Sequence, residues 1–138
     1  MLVSNITEER YLVTDSTNVR FQAYAYIEDG FLQITLRTKL ENGLHLTELQ
    51  GATQFQLMLG HFIGRFKGIR GNWTYGDNLK LFNNGVHEGL SLEQSALKTW
   101  TGRQAQMAGY SRVEVVELYG LPGSFNQVKV NFLPSTKE

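Results

Sequence analysis

The sequence has no cysteine, only two prolines and no excess of charge of either sign. Each shortage excludes something. Without cysteine there is no disulfide framework, thiolate metal cluster or cysteine nucleophile. Lys plus Arg and Asp plus Glu both number 13, so the formal net charge is zero. A neutral chain lacks the long-range field that gathers nucleic acid without selection. A local basic patch is still compatible with that balance. No stretch approaches the roughly 20 apolar residues of a membrane span. Residues Met1 to Arg10 lack a basic segment followed by a long apolar run, which excludes a signal peptide there. The expected location is cytoplasmic as written, or outside the cell if the chain is delivered as part of a larger protein.

Glycine, in contrast, is plentiful at 14 of 138 residues, against a usual share of about 7%. Many glycines with few prolines indicate tight turns and close backbone approach instead of a disordered linker. The length is that of one domain, so residues 1–138 are expected to form a single unit. Folding at this size buries about 70% of the unfolded chain's surface, enough for a core without staples. There is no internal repeat or low-complexity tract.

The clearest local signal runs from Val19 to Leu40. Val19, Phe21, Ala23, Ala25 and Ile27 alternate with polar or tyrosine positions, Asp29-Gly30 follows, and Leu32, Ile34, Leu36 and Leu40 alternate again. Period-2 patterns on both sides of Asp-Gly predict a hairpin with a two-residue turn. That turn places Ile27 opposite Leu32, Ala25 opposite Ile34 and Ala23 opposite Leu36, so both apolar sets share one face. Tyr24, Tyr26, Gln33, Thr35 and Arg37 occupy the other. Tyr11-Leu12-Val13 adds an edge strand.

Helices follow. Thr47 to Gln50 fits a capping box. Phe55, Leu59, Phe62, Ile63 and Phe66 then form one helical face that Gly68 terminates. Gly60 and Gly64 lie on another face, where a neighbouring element is expected to approach. Gly68 to Asp77 reads as a structured loop with a short strand over Ile69 to Trp73. Asp77 is the expected N-cap of a short helix carrying Leu79, Phe82 and Val86, broken by Asn83-Asn84-Gly85 and Gly89. Ser91 to Gln94 is a second capping box, opening a helix to about Ala108 with Leu92, Ala96, Trp100 and Met107 inward and Gly109 as its stop. A second hairpin closes the chain: Val113 to Leu118, a turn at Gly120 to Gly123, then Val128, Val130 and Phe132 up to Pro134. The expected fold is therefore α+β: an antiparallel sheet from an N-terminal and a C-terminal β-hairpin, with about three helices between them packed on one face.

No spacing of His45, His61 and His87 makes a metal site, and no cofactor motif is present. His61, on a helix flank, has two readings: a half-exposed surface residue, or a general acid or base. Arg65, Lys67 and Arg70 form the densest basic run, and Trp73 and Tyr75 follow directly. Cations beside aromatic rings suit phosphates and unstacked bases. His61, Arg65 and Arg70 are thus the candidate catalytic residues, with Trp73, Tyr75 and Asp77 as candidate binding residues. Tyr24, Tyr26 and Arg37 form a second candidate binding surface. Thr99-Trp100-Thr101-Gly102 disagrees with a mid-helix position. Such local conflict points to function, and Trp100 reads as a core anchor. An acidic patch at Glu114 and Glu117 offsets the basic run.

A linked series of motifs spans residues 68 to 132: Gly-Ile-Arg-Gly-Asn-Trp, Gly-Asp-Asn-Leu, Gly-Leu-Ser-Leu-Glu-Gln-Ser-Ala, Thr-Trp-Thr-Gly and Gly-Leu-Pro-Gly-Ser-Phe. It resembles the C-terminal toxin domains of bacterial polymorphic toxins of the Rhs and filamentous-haemagglutinin type. The resemblance implies an effector delivered to a competing cell and a cognate immunity protein as partner, and many such domains are nucleases; together with the basic–aromatic run it makes RNA the expected target. It assigns no catalytic residue here. The leading expectation is a toxin-type effector, a metal-independent enzyme acting on RNA with His61 as acid or base. The rival is a non-enzymatic binding or assembly module for a protein partner or homo-oligomer. A small-ligand pocket lined by Trp73 or Trp100 is a third reading.

Overall fold

The computed structural model describes residues 2–16, 18–37 and 48–135. Leu40, His45 and the proposed cap at Thr47 lie outside the described residues. The chain is α+β, with seven strands and four helices among the described residues. It divides into two compact units, Met1–Phe66 and Lys67–Glu138.

Unit 1 contains β1 (Leu2–Ile6), β2 (Arg10–Asp15), β3 (Asn18–Glu28), β4 (Phe31–Arg37) and α1 (Glu48–His61). Its strands pair antiparallel in chain order. The β3–β4 hairpin has the expected register, Ile27 with Leu32, Ala25 with Ile34 and Ala23 with Leu36. Asp29 and Gly30 both take positive φ, 56° and 84°, as a type I′ turn requires. Ala23 and Ala25 are fully buried, and α1 contacts β3. Their small side chains leave room for Phe55, Met58 and Phe62 of the helical segment, all buried. The opening residues correct the expectation of an edge strand at Tyr11: β2 lies inside the sheet, between β1 and β3.

Helix α1 stops at His61, well before Gly68. The guanidinium of Arg65 donates to the His61 carbonyl, and Gly64 turns the chain at φ 79°. Ile63 is consequently 73% exposed instead of inward. A Cβ at Gly60 or Gly64 would meet nothing within 4 Å, so among the described residues no element makes the expected close approach there.

Unit 2 contains β5 (Gly68–Trp73), α2 (Asp77–His87), α3 (Leu92–Leu97), α4 (Trp100–Met107), β6 (Arg112–Leu121) and β7 (Ser124–Leu133). Strand β7 lies between β5 and β6, antiparallel to both. Ile69, Trp73, Phe82, Phe125, Val128, Val130 and Phe132 fill the core.

The helical region departs from expectation in four places. The N-cap of α2 is Gly76, which makes Asp77 the first helical residue, where its charge suits the helix N-terminus. Gly85 does not break α2; it is buried inside it, and a Cβ there would lie 2.7 Å from Ser95 Oγ. The Ser91–Gln94 capping box forms as expected, but the helix it opens ends after six residues. Thr99 is buried and caps a new helix, accepting from the Gly102 N–H at 2.9 Å while its hydroxyl donates to the Ala96 carbonyl at 2.6 Å. The hydroxyl-rich stretch is thus a junction between two helices. It also turns Met107 outward. Ala108 caps α4, and Gly109 follows at φ 95°, as a helix stop requires.

Candidate functional site

Unit 1 carries two surface depressions. One, of about 610 Å³, is polar and lies over the turn Thr7 to Arg10, with Tyr24, Tyr26, Phe62 and Arg65 around it. The turn is closed by the Thr7 N–H donating to the Arg10 carbonyl at 2.8 Å. Arg10 pairs across the sheet with Tyr26. The Tyr24 and Tyr26 rings lie 5.3 Å apart and 36° from parallel, within the range of an aromatic pair. Burial pushes the Tyr26 phenol above its ordinary pKa, helped by the nearby Glu28 and Tyr24.

Arg65 is the most organised side chain of this cleft. Its Nη1 donates to the Glu8 carbonyl and its Nη2 to the His61 carbonyl. The guanidinium also lies over the Phe62 ring, 4.9 Å from its centre. These contacts fix the head group while the residue stays exposed. A guanidinium has five N–H donors. Two are engaged here, and the remainder are available to an anion held in place with little loss of side-chain freedom.

His61 lines the other depression, an apolar groove of about 580 Å³ with Leu2, Ser4, Ile6 and Leu57 on its walls. Its Nε2 lies 2.6 Å from the Thr7 carbonyl oxygen. A carbonyl only accepts, so Nε2 carries the hydrogen and a neutral ring keeps its lone pair on Nδ1. The sequence-predicted pair His61 and Arg65 is therefore linked through the Thr7–Glu8 backbone, while the two side chains open on different depressions.

The other candidates belong to unit 2. Arg70 is only 8% exposed, and its Nε donates to Asn131 Oδ1 at 2.8 Å. Asn131 in turn donates to Glu114 Oε1 at 2.8 Å, so the three residues form a polar ladder across β5, β7 and β6. Trp73 is 7% exposed and packs near Phe82 and Phe132. Gly71 gives its ring space: a Cβ there would lie 2.7 Å from the indole. Tyr75 and Asp77 are exposed, and so is Arg37 at the end of β4. Trp100 is half-buried. Glu117 of the acidic patch pairs with Lys129 at 3.5 Å.

The motif series of residues 68 to 132 has structural tasks in this unit. Asn78 and Thr101 exchange two hydrogen bonds, as do Asn83 and the Phe125 backbone. The Ser91 and Thr99 hydroxyls cap helices. Sequence reasoning missed Glu8, Glu9 and Arg10, because no pattern in the first 18 residues marks the turn they form. Among the described residues no group of three His, Asp or Glu side chains is placed to hold a metal ion. No described helix is long and apolar enough to cross a membrane. No protein-family model matches the chain, and neither a curated protein nor a solved structure matches it.

Proposed function

We propose that the protein is a binding domain that holds a phosphate-bearing, ring-bearing ligand in the polar cleft of unit 1, and that RNA is the ligand class. Arg65, anchored by two backbone carbonyls and still exposed, is the observation that supports this reading. Arg65 and Arg10 supply directed contacts to phosphate, and the Tyr24–Tyr26 pair supplies a surface on which a base stacks. Glu8 and Glu9 line the same cleft and cancel its formal charge. Affinity then rests on oriented contacts and not on bulk attraction. With two phosphate contacts, log K falls against log salt with a slope of about −1.4 for a single strand.

Fluorescence anisotropy of a short labelled single-stranded RNA tests the reading. Binding should saturate with that shallow salt slope and be lost in Arg65→Ala and weakened in Tyr26→Ala. Absence of binding, or binding indifferent to Arg65→Ala, refutes it. A second reading, supported by the lone pair left on His61 Nδ1, makes the domain an RNA-cleaving, toxin-type effector neutralised by an immunity protein. Cleavage of total RNA that disappears in His61→Ala favours this second reading; intact RNA at high protein concentration rejects it.

A further inference from the structure

Strand β1 ends the sheet of unit 1 and is paired only with β2 among the described strands. Its five residues, Leu2-Val3-Ser4-Asn5-Ile6, are all exposed and include no charge and no proline. Monomeric proteins usually protect such an edge with lysine, proline, a bulge or a covering element. The β1–β2 pairing is regular throughout, with no bulge. Leu2, Ser4 and Ile6 share one face of the strand by its period of two. That face continues the apolar groove, because Ile6 pairs with Tyr11 and Ser4 with Val13, both buried against α1. Helix α1 thus covers β2 but leaves Leu2 and Ile6 open, 52% and 44% exposed, beside Leu57 at 51%.

The geometry points to a second copy of this chain as the occupant of that edge, paired β1 to β1 in antiparallel fashion about a two-fold axis through Ser4. The strand is self-complementary in this register. Leu2 of one copy faces Ile6 of the other twice, Ser4 faces Ser4, and no like charges meet. The unpaired backbone groups of both edges are satisfied together, and each groove is closed by apolar side chains of the other copy. The strand is roughly 17 Å long, so the contact belongs to the small, reversible class of interfaces, with a dissociation constant on the order of micromolar.

Sedimentation velocity of the full chain, from micromolar to near-millimolar concentration, tests this. The chain should pass from monomer to dimer. Ser4→Lys places two ammonium groups at the axis and should weaken the dimer at least about tenfold, equal to about 1.4 kcal/mol, with unchanged circular dichroism. Register is tested separately by Ser4→Cys, the sole thiol in its variant, which should cross-link under mild oxidation much faster than Val3→Cys. A monomer throughout the range, a dimer untouched by Ser4→Lys, or equal cross-linking at both positions overturns the inference. None of these readouts depends on the polar cleft.

Discussion

Two glycines inside helices should respond to the same substitution with opposite signs. Gly60 is the penultimate residue of α1, and a Cβ there meets nothing within 4 Å. Replacing a helical glycine by alanine stabilises by up to about 1 kcal/mol through backbone entropy. Near the end of a helix about half of that is expected, so Gly60→Ala should stabilise by about 0.5 kcal/mol. Gly85 in α2 has the same intrinsic gain but a different surrounding. Its Cβ would lie 2.7 Å from Ser95 Oγ, 3.0 Å from Ser95 Cβ and 3.1 Å from Ser95 Cα. The last of these belongs to the backbone of α3, so the two helices must separate. Overpacking of this kind costs about 1–3 kcal/mol, which exceeds the propensity gain, and Gly85→Ala should destabilise by about 1–2 kcal/mol. Ser95 sharpens the test. Its hydroxyl is buried and has no hydrogen-bond partner among the described residues. Ser95→Ala should therefore stabilise by about 1 kcal/mol and remove the nearest clashing atom. In that background Gly85→Ala should cost about 1 kcal/mol less than it does alone. Urea unfolding followed by far-ultraviolet circular dichroism measures all four variants. A Gly85→Ala protein as stable as Gly60→Ala, or a cycle with no coupling, would refute the close crossing of α2 and α3.

The remaining predictions concern single contacts. Thr99→Ala removes the cap of α4 and leaves the buried Gly102 N–H without its acceptor, so stability should fall by about 2 kcal/mol, read from the urea midpoint by tryptophan fluorescence. Tyr11→Phe deletes a buried hydrogen bond to Gln54 of 2.7 Å and strands its carbonyl oxygen, at a cost of about 1–2 kcal/mol. Burial raises the Tyr11 pKa above 10.0, so the neutral phenol is the form the fold prefers. Its contribution is complete below the unfolded value and is lost as pH rises through the folded one. Wild-type stability should therefore decline above about pH 10 more steeply than that of Tyr11→Phe. Gly30→Ala forces a Cβ onto the left-handed turn at φ 84° and should cost about 1 kcal/mol.

How far the fold was legible depended on whether the signal was local. The β3–β4 register follows from Asp29-Gly30 and strict alternation, because a two-residue turn leaves one pairing that keeps the apolar sets together. The Ser91–Gln94 cap is equally local. The candidate site was legible only in parts. Residue type and charge mark Tyr24, Tyr26 and Arg65, but in separate segments and for separate reasons. Nearness in sequence alone groups Arg70 and Trp73 with Arg65. The structure puts both of them inside unit 2, since each sits on a strand whose buried positions they occupy.

The sequence by itself determined the α+β class, the β3–β4 register, the second capping box and the exclusion of cysteine chemistry. The register and the cap depend on residues within a few positions of a turn or a helix start, and the other two on the composition and order of the whole chain. Tertiary structure alone decided which glycines are crowded. Gly60 and Gly64 stand in open space while Gly85 lies under Ser95, because crowding depends on a second helix and not on the helix that holds the glycine. It alone decided that Thr99 divides two helices, through a hydroxyl held at 2.6 Å by the Ala96 carbonyl. It alone brought Tyr24 and Tyr26 beside Arg65, across roughly forty residues of chain. Strand pairing and helix packing between segments far apart in the chain, which no local pattern encodes, bring distant residues to one surface.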